Sequence, residues 1–447
     1  MKNSKLFVVL SVLLALGMLL AACGPAATTP AGDTGSSAGS AGGSVAVDTQ
    51  AASSGKTTIK VMSFFAYDTP EVETAVVAAF EKKYPDIKVD FESVAFSDIF
   101  LKYKTLIAGN TPPDVMSMNF DQAYSFASLG ALEPLDSWIK STNLDTSIYF
   151  PATLDMFKVD GVQYSMPGTF SDVVLFYNKD LFDAAGLQYP NKNWTAQDLK
   201  TAALTLTKDT NGDGKIDQFG YEYPWYPIVL EQYNAKIWDP TTNKCTLNSD
   251  AGIKALQAIV DSRYGSEQYA PTPDDLNQQG DWDMFMAGKL AMMPTGPWAV
   301  GTFNQKITTF TYDIADMPAG EKLATHVYAN SYAMAAGSKN KEAAWKFIEF
   351  ATGPEGTKIR QDGKYEISPV KSVADGFVAG LAGGNPEHAS VFMDVMSYAV
   401  AQPVHAHWTE MSDAIDSELN LALSNQKPVK DALDAACVAV DSILAQP

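Results

Sequence analysis

The chain is 447 residues long, with 32 Lys+Arg against 52 Asp+Glu, a formal charge of −20, 4 His and 3 Cys. So acidic a protein is excluded as a nucleic-acid partner and from docking on anionic lipid through a basic patch, because both need cationic side chains to replace counterions. Four His argue against a His-rich metal site, while 46% apolar and 19% charged residues suit a folded chain of two to three domains.

Lys2 and Lys5 precede a nearly unbroken apolar run from Leu6 to Ala22. That order, a charged start and then an apolar stretch, predicts an export signal over residues 1–22. The run ends in Leu20-Ala21-Ala22-Cys23, which resembles a bacterial lipobox. The resemblance implies cleavage before Cys23 and lipidation of its thiol, hence anchoring on the extracytoplasmic face of the cell membrane. Residues 24–56 are almost entirely Gly, Ala, Ser, Thr and Pro without an aromatic ring. Together with Cys23 they predict a lipid-anchored flexible tether over 23–56.

The body alternates strands and helices. Thr58–Phe65 reads as a strand. Val72, Val76 and Phe80 then share one helical face over about 70–83, and Tyr84-Pro85 stops that helix. Ile87, Val89 and Phe91 alternate with charges, a half-buried strand. A helix over about 97–108 ends at Gly109, and 114–118 is the next strand. This β-α-β-α-β order predicts parallel pairing with helices on the sheet faces, an α/β fold. Thr195-Ala196-Gln197-Asp198 predicts a capping-box helix start. Further helix starts fall near Glu342, Pro354 and Thr409.

Several segments, in order, resemble the extracellular solute-binding proteins of ABC importers, in particular the carbohydrate-binding, maltose-binding-like group. They are Asn110-Thr111-Pro112-Pro113-Asp114-Val115, Leu129-Gly130-Ala131-Leu132-Glu133-Pro134-Leu135, and Asp160–Pro167 followed by Phe176–Phe182. Phe285–Met292 through Gly296-Pro297-Trp298 and Ala343–Ile348 complete the series. The likeness runs from about residue 57 to the C-terminus. It implies a two-lobed periplasmic-binding-protein fold with several hinge crossings and a ligand cleft between the lobes. The first lobe is expected over 57–168 plus 324–355, the second over 169–323 plus 356–447. Closure around a ligand is then a hinge motion. The implied partners are a small carbohydrate and the permease subunits of an ABC transporter, with the receptor itself a monomer and no enzyme.

A sugar presents apolar C–H faces and a rim of hydroxyls, so its cleft should combine aromatic rings with Asp, Glu or Asn. Trp298, in Gly296-Pro297-Trp298, matches the family's cleft tryptophan; the alternative is a core ring under a turn. Trp408 matches a cleft aromatic at the start of a C-terminal helix, with a core role open. Asp121 stands where relatives bind hydroxyls, or caps a helix. Phe65, Tyr67 and Asp68 follow the first strand, where ligands find their crevice in parallel sheets. Tyr223, Trp225 and Tyr226 form an aromatic, Pro-flanked loop of which at least one ring should face ligand. Ser171 and Asp172 lie at the first hinge crossing and Asn330 near a later one. Trp282 and Asp283 are further candidates, Trp282 with a core alternative.

Asp209, Asn211, Asp213, Lys215 and Asp217 occupy the ligand positions of an EF-hand-like loop, D-x-N-x-D-G-x-x-D. Gly220 replaces the bidentate Glu that such a loop needs at position 12. A structural Ca²⁺ and a metal-free turn both remain open, and no other cofactor is expected. Cys245 and Cys437 either form a disulfide or stand free and buried. The rival functions are an anchored glycoside hydrolase, which needs two opposed carboxyl groups at fixed separation, and a receptor for a non-sugar solute such as a polyol, a glycerol phosphodiester or a peptide.

Overall fold

A computed structural model describes residues 56–401 and 404–446. The expected leader over 1–22, Cys23 and the tether up to residue 55 lie outside the described residues. Among the described residues, no helix is long and apolar enough to cross a membrane.

Two sheets organise the body. Numbering only their strands, the larger contains β1 (Thr57–Ser63), β2 (Ile87–Ser93), β3 (Val115–Asn119), β4 (Ser165–Asp172) and β8 (Val327–Met334), in the order β2-β1-β3-β8-β4. The smaller contains β5 (Val174–Asn178), β6 (Met292–Thr295) and β7 (Tyr312–Ala315), in the order β6-β5-β7. β1 pairs in parallel with β2 and β3, the arrangement expected from their alternation with helices Pro70–Lys83 and Phe96–Ala108. β8 runs antiparallel between β3 and β4. The β5 pairs are antiparallel on both sides. Helix Ala196–Leu206 starts on the capping box that Thr195 and Asp198 make with each other's backbone.

Only Val173 separates β4 from β5, so the chain steps from one sheet to the other within a single residue. Pairing of β4 with β8 continues to Asp172 opposite Val327. Residues 169–172, assigned to the second lobe by sequence, are therefore strand of the large sheet. Helix Pro354–Asp362 spans the expected boundary between residues 355 and 356. Arg360 of helix Pro354–Asp362 forms a buried ion pair with Glu73, and this fixes that helix against helix Pro70–Lys83. Beyond it, Ile367 and Val370 bridge to Phe170 and Tyr149.

Cys245 and Cys437 are joined in a disulfide. It ties the short hairpin Trp238–Asp239/Lys244–Cys245 to helix Val429–Leu444. Trp238, Leu256, Ile415 and Leu433 pack in the same apolar cluster.

Candidate ligand cleft

A cavity of about 820 Å³ opens where the two sheets meet. Its large-sheet wall is built from the carboxyl ends of the parallel strands: Phe64, Ala66, Tyr67 and Asp68 follow β1, and Asn119 ends β3. A crevice forms there because each strand hands over to a helix on the sheet's face, leaving the strand ends uncovered. Helix Phe120–Ser128 then turns Asp121 and Gln122, in its first turn, into the space.

The crossing strands form the floor. Ser171 from β4 and Tyr328 and Asn330 from β8 line it, the last two on one face of the strand by the period of two. Their polar groups are linked. Asn119 Nδ2 donates to Asn330 Oδ1 at 3.1 Å. Asn330 Nδ2 donates to both Glu366 oxygens at 3.2 and 3.1 Å, and Ser171 Oγ to Glu366 Oε1 at 3.0 Å. Burial nevertheless holds the Glu366 carboxyl above its usual range; hydrogen bonds from its neighbours only partly oppose that.

Three rings converge over this floor. Tyr328 stands 6.4 Å from Trp298 and 6.5 Å from Trp225, centroid to centroid. Gly296 makes the Trp298 position available. A Cβ at residue 296 would lie 2.1 Å from Trp298 Cζ3 and 2.5 Å from the Asp172 carbonyl oxygen, so only glycine lets the indole fold back over its own turn. A second aromatic group, Phe64, Phe96 and Phe100, forms an edge-to-face shelf with centroids 5.0–6.0 Å apart. Phe96 is exposed at the cavity wall.

A further wall comes from helix Trp408–Leu423, whose Trp408, Ser412 and Asp416 line the cavity at i, i+4 and i+8. Trp408 is at once core and wall: it is buried, packs 6.2 Å from Trp238, and lies beside Asp121. Burial pushes the Asp121 carboxyl up to about 6, against the lowering effect of the Gln122 N–H bond and of neighbouring Trp408. Asp416 is also pushed up to about 6, first by burial and then by neighbouring Asp413.

Of the residues singled out by sequence, Tyr67, Asp68, Asp121, Ser171, Trp225, Trp282, Trp298, Asn330 and Trp408 line the cavity. Phe65 does not. It is fully buried, 5.0 Å from the Arg360 guanidinium, in the turn that follows β1, while Phe64 takes the cavity side. Tyr223 turns away to bond the Tyr269 hydroxyl at 3.0 Å. Tyr226 is buried in the cluster under helix Val429–Leu444. Asp283 and Asp172 lie off the wall, and both Asp172 oxygens are buried without a hydrogen-bond partner. Tyr328, Glu366, Asp416 and Phe96 are cavity residues that sequence reading missed.

The Asp209–Asp217 loop uses its oxygens on itself. Asp209 accepts from the amides of Gly212 and Gly214 at 2.6 and 2.7 Å. Asp217 accepts from the Thr210 and Asn211 amides, while Asn211 and Asp213 accept from the amides of Asp213 and Lys215.

The bacterial extracellular solute-binding protein family matches residues 68–358. Among solved structures, an ABC substrate-binding protein of Listeria monocytogenes in complex with cycloalternan superposes with a TM-score of 0.81. It is 32% identical and covers 88% of this chain and 100% of its own. The galactooligosaccharide-binding protein of Bacillus subtilis is 25% identical over 98% of this chain and 96% of its own. A maltooligosaccharide ABC transporter solute-binding lipoprotein of Streptococcus pneumoniae is 25% identical over 76% of this chain and 78% of its own.

Proposed function

This chain belongs to the bacterial extracellular solute-binding proteins, and from that premise we propose that it is a membrane-anchored receptor that captures an oligosaccharide by lobe closure and delivers it to an ABC permease. The carrying observation is the cleft in which Trp225, Tyr328 and Trp298 converge above a floor of linked Asn and Glu side chains. Rings take up the C–H faces of a sugar and the polar floor takes up its hydroxyls. The names of the Listeria, Bacillus and Streptococcus relatives, all binders of saccharides or components of their transport, support the same ligand class. A ligand that touches both sheets stabilises the closed arrangement through contacts the open one lacks.

The chain acts outside the cytoplasm, as its family does. Anchoring rests on Cys23 in its lipobox-like setting: Cys23→Ser is expected to release the protein from the membrane fraction, and continued pelleting with membranes would undo it. The receptor is read as a non-enzyme. A thermal-shift screen over neutral mono- and oligosaccharides should find ligands that raise the unfolding midpoint, because a ligand bound only to the native state must do so. Product analysis after long incubation with the same sugars should return them intact; released sugar would establish a hydrolase instead. For the Asp209–Asp217 loop we keep a structural Ca²⁺ as the reading under test. Heat on calorimetric titration and a midpoint lowered by chelator support it, and silence in both removes it.

A further inference from the structure

The charges around the cleft are all of one sign. Five carboxylates line it, Asp68, Asp121, Asp281, Glu366 and Asp416, drawn from five different segments of the chain. Among the described residues no Lys, Arg or His lines it. The guanidiniums of Arg360 and Arg263 are off the lining and already paired, Arg360 with Glu73 behind Phe65 and Arg263 with Glu222.

Resting on the sugar reading above, we propose that the cleft selects by charge: it takes neutral saccharides, takes amino-sugar forms more tightly, and turns away saccharides bearing a carboxylate or phosphate. A sugar hydroxyl donates to a carboxylate whatever the ligand's net charge. An ammonium donates too, and adds the attraction of an ion pair in a space partly closed to water. A uronate or phosphate brings a second negative charge beside groups that cannot donate to it. It finds no guanidinium or ammonium to form the bidentate or point-charge contacts such anions need. The upward displacement of Asp281 and Asp416, each caused first by burial and then deepened by a neighbouring aspartate, agrees with cleft acids whose surroundings add negative rather than positive charge. Gln122, Asn119, Asn330 and Ser171 bring neutral donors to the same wall, so hydroxyl-bearing ligands are not disfavoured.

The test uses maltotriose, mannobiose and galactobiose, each prepared with a C6 hydroxyl, amine or carboxylate, titrated at neutral pH by tryptophan fluorescence and calorimetry. On a backbone that binds, the carboxylate form should be weaker than the hydroxyl form by roughly tenfold or more and the amine form tighter by about threefold or more. In the double variant Asp281→Asn/Asp416→Asn both ratios should shrink towards one. A carboxylate form that binds within about threefold of its hydroxyl parent overturns the charge inference and leaves the sugar reading standing. So do ratios unchanged in the double variant, which would trace them to size. If no backbone binds in any form, the sugar reading falls and takes the inference with it.

Discussion

Arg360 and Trp298 both sit among aromatic rings and carboxylates, and their surroundings differ in one respect. Around Arg360 every partner is supplied from within. Its guanidinium lies 5.0 Å from the Phe65 ring and 5.4 Å from Tyr332, and it pairs through two nitrogens with Glu73. Tyr332 Oη completes the set at 2.9 Å from Glu73 Oε2. Around Trp298 the rings are half-open, no Lys, Arg or His is among the described residues that line the space, and about 820 Å³ stands between the walls. Aromatic rings beside a carboxylate are thus no signature of a ligand site by themselves. The distinguishing feature is whether the charge is neutralised by the chain or left to a guest.

The sharpest way to break the comparison is to unpair the sealed cluster. Glu73→Gln leaves Arg360 charged, buried and without its counter-ion, and should cost about 3–5 kcal/mol of stability. Denaturant unfolding measures it. A loss under about 1 kcal/mol would mean that water or another acid reaches Arg360, and the cluster would no longer differ in kind from the cleft.

Trp298→Ala tests the open side with the opposite signature. Stability should change little, since one side of the ring faces the cavity, while affinity for a sugar found by screening should fall by about 1–4 kcal/mol, the range for a buried aromatic anchor. An unchanged dissociation constant would remove Trp298 from the site and move the binding surface towards the Phe64–Phe96–Phe100 shelf.

How much of this contrast was legible in the sequence follows from the range of the interactions. The first five elements were readable because periods of two and 3.6 are local properties. Trp298 and Trp225 were readable because Gly and Pro mark their turns. Phe64 and Phe65 could not be told apart, since both lie past the end of β1, where no period fixes which side a residue faces. Glu366 was invisible for another reason: its partner Ser171 is 195 residues away. Tyr328 and Asp416 were within reach. Tyr328 shares a strand face with Asn330, and Asp416 lies two helical turns beyond Trp408, so extending each known candidate by its element's period would have found both.

Asp172 belongs to neither region, and for that reason it sharpens the contrast most finely. It ends β4 at the step between the sheets, fully buried, with neither a cation as in the sealed cluster nor a place on the cavity wall. Both its oxygens lack a hydrogen-bond partner, and burial raises its pKa well above the ordinary aspartate value. A raised value in the folded state means that the native protein holds this proton more tightly than the unfolded chain. The contribution to stability is then complete below the unfolded aspartate value near 4 and is lost as pH rises through the folded value. Asp172→Asn keeps the shape and removes the charge. The variant should therefore be more stable than the parent at neutral pH, by about 1–3 kcal/mol, with the gap closing as pH falls towards about 4. Thermal unfolding of both proteins across that interval decides it. A variant less stable than its parent at neutral pH would show that the Asp172 carboxylate is charged and satisfied at the crossing, so that the chain neutralises its acids there as it does beside Arg360.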